Sequence, residues 1–599
     1  MGGLRAGAET QTITSTAAGA AGAGERYRPP GAWRRRDVMS AYLLAGAVLF
    51  VLYLRLSETY GLNSDSANIL LMAQDMLHGH PLLHGWYSSD VSFFPTEIPQ
   101  YALLESLLGT QMQTAHVAAA MTYTLAFMLA VVLARSGTAG RAAWTRTLIA
   151  AGIMLAPQFG LGVFALDLSV GHIGTAVPLL LTWLLLDKAP ARWYVPVLTA
   201  LLLAWVLIAD PIVYVVGVAP LGAVCGARVL RDLATSTGPW VGRVAAAWFD
   251  LALGAAAIGA TVLAWAANYA ITALGGYRVN RLPFYFVHWQ HLPHNAPAAW
   301  KVLQVFGADF AGLHGSWLGL AFLHLASVLV VGWALALVAG RFFRVSRADQ
   351  VLAAAIVLNV VLYLLTNAAA EAAHEVAIIV PFAAALAARV LVSAFPRGDS
   401  FLAREAPAPR SPRPPQTPPA PGGAVRPPSP PWRLAALVAG AVVLAGYTAG
   451  FGYELTRPSA PPANVPLASW LLKHHLTYGL GGYWASSSVT VDSGQQVSVR
   501  ALMQYTLKRD LWMAKTSWYD PKLHYANFVV LDSQPGSYSH WEPRRLIRKY
   551  FGVPARTYRT GPYTIMVWQR NLLNDIPGNG HRHRPVRSGP VRSGPVRSR

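Results

Sequence analysis

Apolar runs of about 20 residues recur between residues 38 and 452, and they limit what this chain can fold into. A helix needs roughly 20 apolar residues to cross the hydrocarbon layer of a membrane. Of the 599 residues, 54% are hydrophobic and only 13% are charged, whereas a soluble domain carries about 25% charged residues. The sequence therefore predicts an α-helical polytopic membrane protein with about 11 transmembrane helices.

The charge and the cysteine content narrow the class of protein further. In a membrane protein, the net charge of +21 indicates basic cytoplasmic loops. The sequence has no basic patch interleaved with aromatic residues, which would favour binding of nucleic acid. A single cysteine, Cys225, excludes disulfides within the chain. The first 30 residues lack the apolar core of a signal peptide. We expect a multi-pass protein of the cell membrane that has no nucleic-acid partner.

Basic residues at the ends of the apolar runs predict the topology. Arg34, Arg35 and Arg36 precede the first run and place the N-terminus in the cytoplasm. The stretch 195–227 is interrupted by Asp210-Pro211, which favours two spans with a tight outer turn; the alternative is one span and a re-entrant piece. The predicted spans are 38–56, 114–134, 147–166, 174–186, two within 195–227, 246–272, 316–340, 350–366, 376–395 and 433–452.

Composition divides the chain into regions. The segment after the last predicted span contains "ASWLLKHHL", a pattern that is typical of an amphipathic helix. Here "SSVTVDSG", "NFVVLDS" and "YTIMVWQ" predict short strands, and the glycines of "YGLGGYW" predict a turn. The predicted regions are a disordered cytoplasmic tail (1–36), a membrane core (37–396) with an outer loop (57–112), a Pro-rich cytoplasmic linker (397–431), a last span (432–452), a small extracytoplasmic α/β domain (453–572) and a basic disordered tail (573–599).

The first outer loop carries the carboxylates with the clearest chemical potential. Asp65 lies nine residues past the first span, just before the amphipathic segment "ANILLMAQDML". Ser64 or Asp65 could cap that helix, or Asp65 could act as a general base on a hydroxyl at the membrane surface. Glu97 lies between Pro95 and Pro99 in an extended stretch, so it is either a ligand or part of a solvated acidic loop.

These features resemble the GT-C glycosyltransferases, and among them the protein O-mannosyltransferase and aminoarabinose-transferase type. The resemblance rests on the cytoplasmic N-terminus, the long first outer loop and its segment "SDSANILLMAQDMLHGHPLL". It implies a GT-C fold, with Asp65 as base and with Glu97 and Asp167 as the further acids of the outer loops. The chain has one acid where the family usually has two, and it lacks an Arg-Tyr pair near "AAHEVAIIVPF".

The resemblance implies transfer of a sugar from a polyprenyl-phosphate carrier to an acceptor hydroxyl on the outer face. The acceptor would be an envelope glycan, lipid or protein. Asp65 would take the hydroxyl proton in a single displacement, and Arg278 and Arg281 would stabilise the leaving lipid phosphate. The alternative role of the two arginines is anchoring to lipid headgroups. His172, close to Asp167 in the second outer loop, would contact substrate or form a local hydrogen bond.

No cofactor is expected. A divalent metal is the alternative at His288, His291 and His294 of "HWQHLPH", where Pro293 breaks a continuous helix. Two other functions compete with transfer: a catalytically inactive GT-C-like scaffold, and a transporter or flippase of envelope lipid or glycan. A transporter would need buried mid-span charges and internal repeats, and the sequence has few such charges and no apparent repeat.

Overall fold

The computed structural model describes most of the chain between residues 35 and 579. Contacts divide the chain into two compact units, 1–47 and 48–599, and this boundary lies inside the first helix. The predicted site residue Asp167 and the predicted Pro-rich linker up to residue 430 lie outside the described residues. The described ranges are 35–156, 162–163, 171–310, 312–370, 373–394, 431–537 and 539–579.

Helices occupy the described parts of the predicted apolar runs. Eight of them, within the described ranges, are long and apolar enough to cross a membrane. The helices up to residue 456 are α1 (Arg35–Ser57), α2 (Ser64–Leu77), α3 (Glu97–Leu108), α4 (Met112–Arg135), α5 (Gly140–Leu155), α6 (Ile173–Lys188), α7 (Tyr194–Ala209), α8 (Ala219–Thr235), α9 (Trp240–Ala246), α10 (Trp248–Ala273), α11 (Ala296–Gln304), α12 (Leu318–Gly340), α13 (Arg347–Leu365), α14 (His374–Ala377), α15 (Ile379–Ala394) and α16 (Pro431–Thr456).

The stretch 195–227 forms two helices, as the two-span interpretation predicts. Helix α7 ends at Ala209, and Asp210 has an extended backbone. Pro211 explains the break, because a proline has no N–H to continue the helix and disfavours helical geometry in the residue before it. A π-helical turn, Tyr214–Val218, then leads into α8. The break leaves the carboxylate of Asp210 at the end of a helix, next to the polar loops.

The predicted small α/β domain is present after α16. Its helices are α17 (Val465–Lys473), α18 (Ser487–Asp492) and α19 (Arg544–Phe551), and its strands are β3 (Tyr478–Gly481), β4 (Ser498–Ala501), β6 (Phe528–Asp532), β7 (Arg556–Thr560) and β8 (Tyr563–Val567). These strands form a sheet in the order β4-β3-β6-β8-β7, with β3 parallel to both of its neighbours and the other pairs antiparallel.

Two local predictions in this domain are wrong, and packing explains both. "SSVTVD" forms helix α18 instead of a strand, and the helix is buried against α2. "YGLG" forms strand β3 instead of a turn. A side chain at Gly479 would overlap the ring of Phe528, and one at Gly482 would overlap Trp541. These glycines therefore allow close packing within the sheet. The predictions for "ASWLLKHHL", "NFVVLDS" and "YTIMVWQ" are confirmed by α17, β6 and β8.

A second sheet joins three distant segments at one end of the helix bundle. Strand β1 (Trp86–Ser88) pairs in parallel with β2 (Arg278–Val279) and antiparallel with β5 (Ala514–Lys515). Asp75 strengthens this junction, because Lys515 Nζ lies 2.8 Å from its Oδ1 and Trp86 Nε1 donates to its Oδ2 over 2.8 Å. The first loop, the segment after α10 and the C-terminal domain are thereby held together. We call this end of the bundle the domain side.

The opposite end of the bundle carries a buried ionic network. Arg389 pairs with Asp187 at 2.7 Å and with Asp349, and Arg146 donates to the backbone oxygen of Arg389 over 3.3 Å. Several of the basic residues predicted to mark cytoplasmic loops, such as Arg135, lie at this end. The network ties α5, α6, α13 and α15 together at the end of the bundle opposite the C-terminal domain.

Candidate functional site

A cavity of about 970 Å³ lies at the domain side of the bundle. It extends from the loops into the helices α10 and α13, which are among those long enough to cross a membrane. Its aromatic lining consists of Tyr214, Trp265, Tyr269, Tyr277, Phe284 and Tyr363, and its ionisable lining includes Asp90, His172, Asp210, Arg278, Arg281 and Glu375. The cavity therefore joins an aromatic wall on the long apolar helices to a polar end near the loops.

Arg278 and Arg281 supply positive charge to this cavity. Both side chains are exposed. Arg278 lies on strand β2, and its Nη1 donates to the hydroxyl of Tyr87 over 3.1 Å. Within the part of the chain that the structure describes, neither guanidinium forms an ion pair with a carboxylate. The pair is thus free to bind an anion that enters the cavity.

His172 connects three separate segments at the polar end. Its Nδ1 lies 2.8 Å from Asp210 Oδ2, and its Nε2 lies 3.3 Å from Glu375 Oε2. Asp210 also accepts from Thr175 Oγ1 over 2.6 Å and from the backbone N–H of Ile212 over 3.0 Å. The turn that Pro211 imposes thus aims one oxygen of Asp210 at its own backbone and the other at His172.

The two carboxylates set the charge of His172. Burial disfavours the imidazolium, but the contacts with Asp210 and Glu375 outweigh burial and hold the pKa of His172 well above its usual value. Both ring nitrogens then carry protons and donate. His172 therefore acts as a buried cation that links the segment before α6, the turn after α7 and the helix α14.

Metal binding at this cluster would compete with that ion pair. His172, His374 and Glu375 offer atoms that lie within 4.8 Å of one another, the single group of this kind in the described ranges. A histidine binds a metal ion through a ring nitrogen that carries no proton. Both nitrogens of His172 already face carboxylates. The predicted alternative site is less compact, because the ring centroids of His288 and His291 lie 6.4 Å apart on an exposed turn.

Asp65 lies in the first turn of α2, but it does not cap that helix. The cap is Asn63, whose side chain accepts from the backbone N–H of Asp65 over 2.9 Å. The hydroxyl of Tyr483, in the C-terminal domain, donates to Asp65 Oδ1 over 2.6 Å. Burial raises the pKa of Asp65, while Tyr483 and the nearby charge of His374 oppose this increase. The capping interpretation is therefore wrong, and the carboxylate is available for another role.

Glu97 is buried, and it is absent from the described lining of the cavity. It begins helix α3 and accepts from Thr96 Oγ1. A side chain at Gly174 would overlap the Glu97 carboxylate, which shows how closely Glu97 packs against the start of α6. Burial raises the pKa of Glu97 to about 8. At neutral pH most of this side chain is protonated, so it suits hydrogen bonding more than binding of a cation.

Among the predicted site residues, the structure brings His172, Arg278 and Arg281 together around one cavity. Asp65 is not among the residues that line the cavity, and it lies near His374. Asp167 lies outside the described residues. Asp90, Asp210 and Glu375 line the cavity and were not predicted as site residues. The sequence signals that could have found them are Pro211 next to Asp210, and the Glu375 carboxylate beside a span end.

Together, the long apolar helices of the described residues, the cavity and the small C-terminal sheet domain define a multi-pass membrane protein. The chain is similar to the crystal structure of ArnT from Cupriavidus metallidurans bound to undecaprenyl phosphate, with a TM-score of 0.51 and 12% identity over 89% of this chain and 98% of that chain. The crystal structure of ArnT from the same organism in the apo state gives a TM-score of 0.51 and 11% identity, with the same coverage. No family model and no curated protein matches the sequence. The predicted class of fold is confirmed: a mostly helical membrane protein with a small C-terminal α/β domain, whose fold is like that of ArnT.

Proposed function

We propose that this protein is a glycosyltransferase that moves a sugar from a polyprenyl-phosphate carrier to an acceptor hydroxyl on the outer face of the membrane. The observation that carries the proposal is the cavity of about 970 Å³, which combines an aromatic wall on membrane helices with two arginines that have no ion-pair partner among the described residues. A lipid phosphate needs both features, because its chain must stay in an apolar medium while its phosphate needs cationic donors.

Access from the membrane supports a lipid substrate. Trp265 and Tyr269 of α10 line the cavity, and they are 64% and 67% exposed at the surface of the protein. Since α10 is long and apolar enough to span the membrane, these rings would border lipid chains. A carrier could then enter sideways and place its phosphate near Arg278 and Arg281. The crystal structure of the similar protein ArnT, which is bound to undecaprenyl phosphate, agrees with this class of ligand.

The chemistry requires one base and one stabilised leaving group. The acceptor oxygen would attack the anomeric carbon while its proton passes to a carboxylate. The bond between that carbon and the phosphate oxygen would break, and the arginines would stabilise the phosphate that leaves. Asp65 is the proposed base. Asp90 is the rival carboxylate because it lines the cavity, and its pKa is raised by burial despite the charge of His172.

The proposal predicts that the two arginines bind the carrier. Arg278→Gln with Arg281→Gln should weaken binding of a polyprenyl phosphate about tenfold, a loss typical of charge-assisted contacts that solvent partly screens. Binding to the purified protein in detergent can be measured by quenching of intrinsic tryptophan fluorescence, together with transfer from the carrier-linked sugar. Arg545→Gln, on the exposed face of α19, is the matched control.

Two results would count against this function. Equal affinity in the double variant and the wild type would remove the phosphate role of the arginines. Carrier binding without any sugar transfer, by wild-type protein across the common carrier-linked hexoses and pentoses, would favour the inactive scaffold instead.

The proposed topology places the C-terminal domain outside the cell and the N-terminus in the cytoplasm. Cys225 is buried, so single cysteines introduced elsewhere report their own accessibility. Gln534→Cys should react with a membrane-impermeant maleimide in intact cells, and Ala139→Cys should react only after permeabilisation, since both positions are exposed on opposite ends of the bundle. Labelling of Ala139→Cys in intact cells would reverse the assignment.

A further inference from the structure

We propose that Tyr483, a residue of the C-terminal domain, is a positioning residue for Asp65, so that the base is complete only while this domain is docked on α2. The inference rests on the proposed function of Asp65 and deepens it. It stands on one contact in particular: the Tyr483 hydroxyl donates to Asp65 Oδ1 over 2.6 Å, between residues that are 418 positions apart in the sequence.

The hydroxyl of Tyr483 is oriented from its other side. Asn68 Nδ2 donates to the Tyr483 oxygen over 3.1 Å, which leaves the hydroxyl proton to point at Asp65. Asn68 lies one turn after Asp65 on the same helix, so α2 and Tyr483 form a closed set of contacts. Burial, followed by the charge of Asp65, raises the pKa of Tyr483 well above its usual value. The phenol therefore remains a donor at physiological pH.

Further contacts place the domain on both ends of α2. Near the start of the helix, Ser64 Oγ donates to the backbone oxygen of Trp484 over 3.1 Å and lies 3.2 Å from Ser488 Oγ. Near its end, Lys515 pairs with Asp75. Among these contacts between the domain and α2, as far as the chain is described, the one from Tyr483 reaches the carboxylate of Asp65. Docking and positioning are thus separate tasks, and different residues perform them.

Burial raises the pKa of Asp65, and three neighbouring groups oppose it, among them Asn63 at the start of α2. Tyr483 faces Asp65 from the C-terminal domain, and His374 acts on it from α14. Asp510 acts on Tyr483 through its charge. Loss of the Tyr483 hydroxyl would remove a donor that favours the ionised carboxylate, while His374 and Asp510 would stay in place. The proton affinity of Asp65 should then increase, and its side chain should become free to rotate.

The test is Tyr483→Phe, which keeps the ring and removes the hydroxyl. We expect kcat for sugar transfer to fall about 10- to 100-fold with the KM for the carrier little changed, because an unpositioned base costs rate and not binding. We also expect the acidic limb of the kcat profile to move about one to two pH units higher, the shift equivalent to one lost hydrogen bond to a charged group.

Lys515→Gln is the matched control, because it removes one contact between the domain and α2 and leaves the Tyr483–Asp65 contact, with the domain docked, in place. It should lower the melting temperature but leave the acidic limb in place. The inference is wrong if the acidic limb of the kcat profile stays in place in Tyr483→Phe, or if it moves equally far in Lys515→Gln.

A second measurement separates this inference from the proposed function. The carboxyl stretching band of Asp65 can be titrated by infrared difference spectroscopy, with Asp65→Asn to assign it. If the wild type transfers no sugar, the proposed function fails, yet the band of Asp65 should still titrate at higher pH in Tyr483→Phe. An unchanged titration would overturn the positioning role whatever the activity is.

Discussion

Asp65→Asn should lower sugar transfer about 10²–10⁴-fold, the usual contribution of a general base. An amide cannot accept a proton at neutral pH, whereas the carboxylate can. The fold should survive the change. Asn63 caps α2 through the backbone N–H of Asp65, which the substitution keeps, and the amide oxygen can still accept from Tyr483. Protein yield and melting temperature should therefore remain close to those of the wild type.

Asp90→Asn is the variant that makes this experiment decisive. Both residues are half-buried carboxylates on the domain side with raised pKa values, but Asp90 lines the cavity and Asp65 contacts Tyr483. If Asp65 is the base, Asp65→Asn should lose far more of kcat than Asp90→Asn does. The reverse order would assign the proton transfer to Asp90.

Asp75→Asn, in contrast, is a control for stability. Its carboxylate accepts from Trp86 and pairs with Lys515, so the substitution should loosen the sheet junction and lower the melting temperature. Its residual activity at low temperature should stay much closer to that of the wild type than the activity of Asp65→Asn. Full transfer activity in Asp65→Asn would end the case for this residue as base.

The membrane helices were predictable because their signal is local. In a membrane, a run of about 20 apolar residues must form a helix, because its backbone polar groups have no water to bond and must bond to each other. The break between α7 and α8 was predictable for the same reason, since Pro211 acts on its immediate neighbours. Strands β6 and β8 followed from their β-branched residues. These predictions needed no knowledge of distant contacts.

Tertiary packing decided the elements that were predicted wrongly. Helix α18 is rich in β-branched residues, yet its burial against α2 outweighs that weak preference. Strand β3 contains glycines that usually mark a turn, yet Phe528 and Trp541 pack where side chains would otherwise lie. In both cases the partner is distant in the sequence, so no local pattern could reveal it.

The candidate site was predictable only in part for a related reason. His172, Arg278 and Arg281 could be chosen from their positions near span ends. The partners of His172 could not, because Asp210 and Glu375 lie on two other segments and meet it only in the folded chain. The contact of Tyr483 with Asp65 joins residues 418 positions apart in a chain of 599. A site formed by residues from distant segments can therefore be identified in the structure but not from the sequence.

His172→Gln should lower the free energy of unfolding by about 3–5 kcal/mol, as removal of one partner from a buried ion pair does. Asp210 and Glu375 would then lose the cation between them. Melting of the purified protein in detergent measures this loss. His288→Gln is the matched control because His288 is an exposed histidine on the same side of the bundle, and it should have little effect.

The pH dependence of that loss follows from the raised pKa of His172. In the folded state this pKa lies above the unfolded value of about 6.5, so the folded protein binds the proton more tightly. The stabilisation is fully present below about pH 6.5, and it is lost as the pH rises through the folded-state value. Wild-type protein and the His288→Gln control should therefore become less stable over this range, whereas His172→Gln should lack that decline. Parallel decreases in all three proteins would show that another group is responsible, and that His172 does not hold the three segments together as a cation.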